Sequence, residues 1–208
     1  MAKCVIFCAG GFDGLVAPLQ ADDYVIAADG GFSYTQAAGI IPNETLGDFD
    51  SLGFAPENAT VFPVEKDDTD AMLAVRRGLE LGYREFVLYG SLDGPRLDHT
   101  LANLQVLGFL AEHGARGWLV GIDHIATLVK DGTLQFPETA QGIISLFCLG
   151  RPAVGVSIRG LQYPMEGGVL TPDFPLGVSN HFQGQPAEIS VDQGCVWVIY
   201  PRNNEFLA

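Results

Sequence analysis

Aspartates follow two of the short apolar runs in this sequence. Asp48 and Asp50 come directly after the run Glu44 to Gly47, and Asp29 comes after the run Tyr24 to Ala28. Residues two apart in extended chain point to the same side, so Asp48 and Asp50 can share one cation. Crowded carboxylates repel one another unless a cation neutralises them. Because carboxylate oxygens suit hard divalent ions, this pattern predicts a Mg²⁺ site, with Mn²⁺ as the alternative.

A second set of polar residues lies where two helices are predicted to begin. Its members are Lys66, Asp67, Thr69 and Asp70 at one helix and Arg96, Asp98 and His99 at the other. Magnesium sites with few protein carboxylates usually complete their coordination with substrate phosphates, so the implied substrate is a nucleoside triphosphate. The sequence has no GxxxxGK[ST] and no GxGxxG motif. The phosphates would therefore be held by metal, by amides of glycine loops and by the cations Lys66 and Arg96.

The hydrophobic pattern predicts the elements that position these residues. Strands are predicted at Cys4 to Ala9, Tyr24 to Ala28, Glu44 to Gly47, Glu85 to Tyr89 and Trp118 to Ile122, and helices at Asp70 to Leu81 and Asp98 to His113. This alternation predicts an α/β domain over residues 1–130, with a doubly wound, mostly parallel, Rossmann-like sheet. Ligands bind beyond the carboxyl ends of such strands, where Gly30, Gly90 and Ser91 also lie.

The pattern changes from about residue 131 onward. Helical periodicity is lost, and glycine or proline recurs every few residues between short apolar runs such as Ala187 to Val191 and Cys195 to Tyr200. Short strands separated by turn residues are typical of a β-sandwich. We therefore predict an all-β sandwich domain over residues 131–208.

The composition limits the classes of partner. Of 208 residues, 25 are Asp or Glu and 11 are Lys or Arg, which gives a net charge of −14. Because nucleic-acid binding depends on a cationic surface, we expect no nucleic-acid partner. The sequence contains no run of about 18 apolar residues that could span a membrane. Its N-terminus is typical of a buried first strand and not of a signal peptide, so we expect a cytoplasmic protein with no membrane partner.

The order of these motifs resembles the thiamine pyrophosphokinase family. The motifs that carry the resemblance are Ala28-Asp29-Gly30-Gly31, Gly47-Asp48-Phe49-Asp50-Ser51, Asp67-x-Thr69-Asp70, Gly94-x-Arg96-x-Asp98-His99-x-x-x-Asn103, Gly160-Leu161-x-Tyr163-Pro164 and Gly177-Val178-Ser179-Asn180. They span nearly the whole chain. The GDFDS and RxDHxxxN pieces at this separation are specific, whereas the Gly-Gly and Ser-Asn pieces alone are weak.

The resemblance implies a reaction and a set of roles. It implies a homodimer that transfers the pyrophosphoryl group of ATP to the hydroxyl of thiamine and releases AMP. Four aspartates would handle metal and phosphate, namely Asp29, Asp48, Asp50 and Asp70. The nucleotide would be lined by Lys66, Asp67, Thr69, Arg96, Asp98, His99 and Asn103. Ser179 and Asn180 would hold the thiamine pyrimidine, and Trp197 lies where some members place an aromatic ring that stacks on thiamine.

Several alternatives stay open at the level of sequence. Asp68, Thr69 or Asp70 could simply cap the following helix, and Trp197 could be a core residue of the predicted sandwich. A pair such as Asp48-x-Asp50 also suits a metal-dependent glycosyltransferase that uses a nucleotide sugar. A third hypothesis is a non-catalytic protein that binds thiamine without turnover.

Overall fold

The computed structural model describes residues 2–148, 150–202 and 207. The chain divides into two compact units, Met1–Ile122 and Asp123–Ala208. Within the described residues, no helix is both long enough and apolar enough to cross a membrane.

The first unit is built on six parallel strands. They are β1 (Cys4–Phe7), β2 (Tyr24–Ala28), β3 (Glu44–Gly47), β4 (Thr60–Val61), β5 (Glu85–Tyr89) and β6 (Arg116–Val120). Their spatial order is β6-β5-β1-β2-β3-β4, and every neighbouring pair runs parallel. All four residues of β1 are buried, as expected for a central parallel strand covered on both faces. Parallel pairing brings the carboxyl ends of these strands to one edge.

Three helices accompany these strands, α1 (Gly31–Ala37), α2 (Asp70–Glu80) and α3 (Leu97–Glu112). Thr69 caps the N-terminus of helix α2, and its Oγ1 accepts a hydrogen bond of 3.2 Å from the amide of Met72. This cap satisfies one of the amides that a helix N-terminus leaves unpaired. Helix α3 buries Leu104, Leu107 and Leu110, which stabilises it against β6.

The predicted fold class, a doubly wound Rossmann-like domain followed by an all-β sandwich, is wrong. The described part of the chain has three helices against fourteen strands, with parallel and antiparallel pairing both present, so it is mostly β. A doubly wound domain places a helix in each crossover. The segments 8–23 and 48–59, both fully described, connect parallel strands without a helix. Glycines and prolines in these segments, such as Gly10, Pro18 and Pro56, favour turns over helix.

The second unit consists of antiparallel strands. They are β7 (His124–Lys130), β8 (Thr133–Phe136), β9 (Ile143–Cys148), β10 (Ala153–Arg159), β11 (Met165–Leu170), β12 (Asn180–His181), β13 (Ala187–Ser190) and β14 (Cys195–Pro201). One set pairs in the order β12-β9-β14-β7 and the other in the order β11-β10-β13-β8. The ring of Phe136 on β8 meets that of Tyr200 on β14 edge to face, with centroids 5.1 Å apart. The core of this unit therefore lies between the two sets of strands.

Two helical glycines make a matched test of this packing. A Cβ on Gly78 of α2 would lie 2.5 Å from Phe86 Cε1 and 2.7 Å from Cys4 Sγ, whereas one on Gly108 of α3 would meet no heavy atom within 4 Å. We expect Gly78→Ala to lower the free energy of unfolding by roughly 1–3 kcal/mol through overpacking. Gly108→Ala should raise it by up to about 1 kcal/mol, because alanine favours helix. Urea unfolding measures both, and equal shifts of the same sign would contradict this packing.

Candidate functional site

A cavity of about 490 Å³ opens where the parallel strands of the first unit end. Residues that follow β1, β2, β3 and β5 line it, together with the first turns of α2 and α3. The lining includes these residues that the sequence singled out: Asp29, Asp48, Asp50, Thr69, Asp70, Gly90, Ser91, Arg96, His99 and Asn103. Gly30, Lys66, Asp67 and Asp98 are not part of the lining.

Three aspartates converge at this cavity. One carboxylate oxygen each from Asp29, Asp48 and Asp50 lies within 4.8 Å of the other two. Oδ2 of Asp29 accepts a hydrogen bond of 2.7 Å from Ser51, but its Oδ1 is buried and has no hydrogen-bond partner in the described structure. A buried carboxylate oxygen without a partner is costly. These oxygen donors therefore fit a hard divalent cation.

The local backbone brings these carboxylates together. Asp29 and Phe49 have φ angles of 47° and 59°, a left-handed conformation that is uncommon for residues other than glycine. A Cβ on Gly47 would lie 3.0 Å from the backbone of Asp29, so only glycine lets the end of β3 approach the end of β2 this closely. Strained backbone of this kind often occurs at functional sites.

Lys66 pairs with two carboxylates beside this group. Its Nζ lies 2.5 Å from Oδ2 of Asp48 and 3.2 Å from Oδ1 of Asp70. The hydrogen bond from Lys66 lowers the pKa of Asp48. Burial raises the pKa of Asp70, although Lys66 opposes that rise. Burial also opposes the charge on Lys66, but the two carboxylates outweigh it and the lysine pKa is raised.

The start of α3 supplies a cation that lines the cavity. Arg96 donates hydrogen bonds to Asp98, the shorter of which is 2.6 Å from Nη2 to Oδ2. Both side chains are 65% exposed, so this pair contributes little to stability. An exposed guanidinium at the cavity wall can instead exchange Asp98 for a bound anion, since it binds two oxygens at once.

Helix α3 also shapes the loop that follows β5. Asn103 Nδ2 donates to the carbonyl of Ser91 at 2.8 Å, and Thr100 Oγ1 donates to the carbonyl of Leu92 at 2.9 Å. Asn103 is buried, so its amide positions this loop. Sequence reasoning missed Thr100, although its spacing of three from Asn103 places both on one face of the helix.

Residues after β1 were missed as well. Cys8, Ala9 and Gly10 line the cavity, and the rule that ligands bind beyond strand ends would have found them from Gly10-Gly11. Burial raises the pKa of the Cys8 thiol to about 12, so this cysteine stays protonated at neutral pH.

The residues predicted to bind thiamine lie in the second unit. Trp197 alternates with the buried Val196 and Val198 on β14, so its side chain points away from the core. Ser145, directly opposite Ile199, shares that face, and its Oγ accepts a hydrogen bond of 3.1 Å from the amide of Ser179. The structure therefore brings Ser179 to the face of the sheet that carries Trp197.

Asn180 has a different environment. Its side chain is buried, accepts hydrogen bonds from the amides of Tyr163 and His181, both at 2.9 Å, and donates to the carbonyl of Tyr163 at 2.8 Å. Asn180 pairs with the buried Ile144, on the opposite face from Trp197. In the structure this amide holds the segment around Tyr163.

Comparison with known proteins places the chain in a family. Residues 17–118 match the model of the thiamin pyrophosphokinase catalytic domain, and residues 132–196 match that of the thiamin pyrophosphokinase vitamin B1 binding domain. The chain belongs to the thiamin pyrophosphokinase family. It is an enzyme of the pyrophosphotransferase class, and its activity is that of a thiamine pyrophosphokinase.

Individual relatives agree with the family models. The chain is 26% identical over 210 residues to thiamine pyrophosphokinase of Bacillus subtilis, covering 95% of this chain and 98% of the relative. The crystal structure of the Bacillus subtilis thiamine pyrophosphokinase superposes with a TM-score of 0.82 at 25% identity, over 97% of this chain and 99% of that chain. Thiamin pyrophosphokinase from Candida albicans, at 15% identity, shares the fold with a TM-score of 0.77 over 96% of this chain and 90% of that one.

The two family domains divide the predicted site residues between them. The catalytic-domain match contains the three converging aspartates, Lys66 and the start of α3, and the vitamin B1 binding match contains Ser179 and Asn180. Trp197 follows the last matched residue directly. The resemblance stated from the motifs is thus confirmed at the level of the family.

The loop contact made by Asn103 gives a test. Asn103→Ala should lower the free energy of unfolding by about 1–3 kcal/mol, because it leaves the carbonyl of Ser91 without its partner. Gln105→Ala on the same helix is the control, since Gln105 is exposed and its change should stay within about 0.5 kcal/mol. Urea unfolding of both variants measures these two changes in the free energy of unfolding. Equal effects would show that the Asn103 amide does not hold this loop.

Proposed function

We propose that this enzyme transfers the pyrophosphoryl group of ATP to the hydroxyl of thiamine in a Mg²⁺-dependent reaction, giving thiamine diphosphate and AMP. The observation that carries the proposal is the convergence of Asp29, Asp48 and Asp50 at a cavity large enough for a nucleotide. Members of the family use ATP as co-substrate. The matched vitamin B1 binding domain supports thiamine as acceptor.

Asp29, Asp48 and Asp50 are the residues that would hold the metal. The buried, unpaired Oδ1 of Asp29 supports this assignment, since an oxygen of this kind needs a cation or a donor. Asp70 was predicted as a fourth metal carboxylate, but the three-carboxylate group does not include it. Mg²⁺ or Mn²⁺ held by these residues would neutralise charge on the phosphate oxygens of the donor.

The rest of the catalysis depends on how the protein positions ATP and thiamine. In the proposed reaction the thiamine oxygen attacks the β-phosphorus of ATP, the bond from that phosphorus to the α,β-bridging oxygen breaks, and AMP leaves with that oxygen. An aspartate of the cavity takes the hydroxyl proton. Arg96 and Lys66 neutralise phosphate oxygens, and Gly90 and Ser91 line the cavity. Such a transfer depends on alignment and charge neutralisation, with no covalent intermediate on the protein.

Trp197 and Ser179 are the residues proposed to contact thiamine. The Trp197 side chain points away from the core of its unit, and an indole face attracts a cation such as the thiazolium ring. Asn180 was predicted to bind the pyrimidine, but its amide already makes three hydrogen bonds within the protein. We therefore propose that it supports the thiamine surface through Tyr163.

Four other inferences from the sequence remain predictions. These are the homodimer, the cytoplasmic location, the lack of a nucleic-acid or membrane partner, and the domain boundary near residue 130. The glycosyltransferase and the non-catalytic alternatives gain no support, because both domains match pyrophosphokinase models.

The metal assignment can be tested at Asp50. Asp50→Asn should lower kcat/KM for AMP release by roughly 100-fold at saturating Mg²⁺, since it removes one metal-binding charge from the site. Asp22→Asn is the matched control, because Asp22 is exposed and lies outside the cavity, and it should keep the parent rate. Turnover of the Asp50 variant within a few-fold of the parent would show that the assignment is wrong.

A further inference from the structure

Lys66 is enclosed by two carboxylates, which a residue that only contacts phosphate would not need. Its ammonium lies between Asp48 and Asp70, at 2.5 Å and 3.2 Å from their nearest oxygens. The three side chains are only 13%, 11% and 21% exposed, in the order Lys66, Asp48 and Asp70. Arg96, a cation that lines the neighbouring cavity, is by contrast 65% exposed and pairs with Asp98.

The carboxylate that Lys66 holds most closely belongs to the group assigned to the metal. Asp48 contributes one oxygen to the cluster with Asp29 and Asp50, and its Oδ2 is the oxygen nearest to Lys66 Nζ. An ammonium and a divalent ion on one carboxylate repel each other, and partial burial strengthens that repulsion relative to water. A small divalent ion also demands a fixed arrangement of oxygens. Lys66 and the metal therefore compete for Asp48.

We propose that Lys66 is an internal cation that holds Asp48 and Asp70 in the ATP-free enzyme and exchanges them for phosphate oxygens when metal and ATP bind together. This inference rests on the proposed function for the identity of the donor. It explains how a site with several converging carboxylates is kept compact before the substrate arrives. It also means that the free enzyme binds metal weakly and that ATP and metal bind cooperatively, since ATP removes the competing ammonium.

The exchange predicts opposite changes in two affinities. Replacing Lys66 by methionine removes the competitor, so the ATP-free enzyme should bind Mn²⁺ about 10-fold more tightly. The same variant lacks a phosphate partner, so the affinity for α,β-methylene-ATP in the presence of Mn²⁺ should fall by about 10-fold. If Lys66 had only a structural role, its replacement would not tighten the binding of Mn²⁺ while weakening the binding of α,β-methylene-ATP.

The test is a titration of the full chain with Mn²⁺ alone, followed by electron paramagnetic resonance, for the parent, Lys66→Met and Lys66→Gln. The two variants keep the result interpretable if one of them fails to fold. Arg96→Met is the matched control, because it removes a cation of the cavity lining that bonds to Asp98 and not to the metal-binding carboxylates. Its Mn²⁺ affinity should change much less than that of the Lys66 variants.

Tighter Mn²⁺ binding in a folded Lys66 variant, with weaker binding of α,β-methylene-ATP, is the expected result. Unchanged or weaker Mn²⁺ binding overturns the proposal, and so does an equal gain in the Arg96 variant, which would indicate a general charge effect. The Mn²⁺ titration needs no turnover. A parent enzyme that releases AMP normally while the Lys66 variants show no gain therefore contradicts this inference and leaves the proposed function intact.

Discussion

Mutual repulsion among carboxylates is the constraint around which the first unit is arranged. Parallel strands end at one edge, so Asp29 after β2 and the pair Asp48 and Asp50 after β3 must approach one another. The fold accepts left-handed backbone at Asp29 and Phe49 to bring them together. Lys66 offsets part of the repulsion by pairing with Asp48 and Asp70. A buried oxygen of Asp29 still has no partner in the described structure, and that oxygen is the strongest structural argument for a bound cation.

The rest of the cavity supports this arrangement indirectly. Asn103 and Thr100 on α3 hold the carbonyls of Ser91 and Leu92, so the loop after β5 has a defined shape before any ligand binds. Preorganised loops and charges lower the cost of ordering groups around a substrate. In the second unit, alternation along β14 places Trp197 on the face away from the core. Asn180 accepts a hydrogen bond from the amide of Tyr163 and donates one to its carbonyl, which fixes that segment.

Much of the site could be predicted from sequence, because it follows from local patterns. Apolar runs locate the strands, and the strand-end rule brings Asp29, Asp48 and Asp50 together without knowledge of the ligand. The predicted fold class was wrong because the alternation of strands and helices was extended over all of residues 1–130, whereas segments 8–23 and 48–59 connect parallel strands without a helix. The pairing of Lys66 with Asp48 and that of Asn180 with Tyr163 join residues that are 18 and 17 apart in sequence. No periodicity or motif carries that information.

The most direct test of the proposed reaction is ³¹P NMR of the enzyme with ATP, Mg²⁺ and thiamine. We expect AMP and thiamine diphosphate to appear together in equal amounts, because an intact pyrophosphoryl group moves from donor to acceptor. Formation of ADP with thiamine monophosphate would instead show attack at the γ-phosphorus. That result would contradict the proposed alignment of ATP against the converging aspartates.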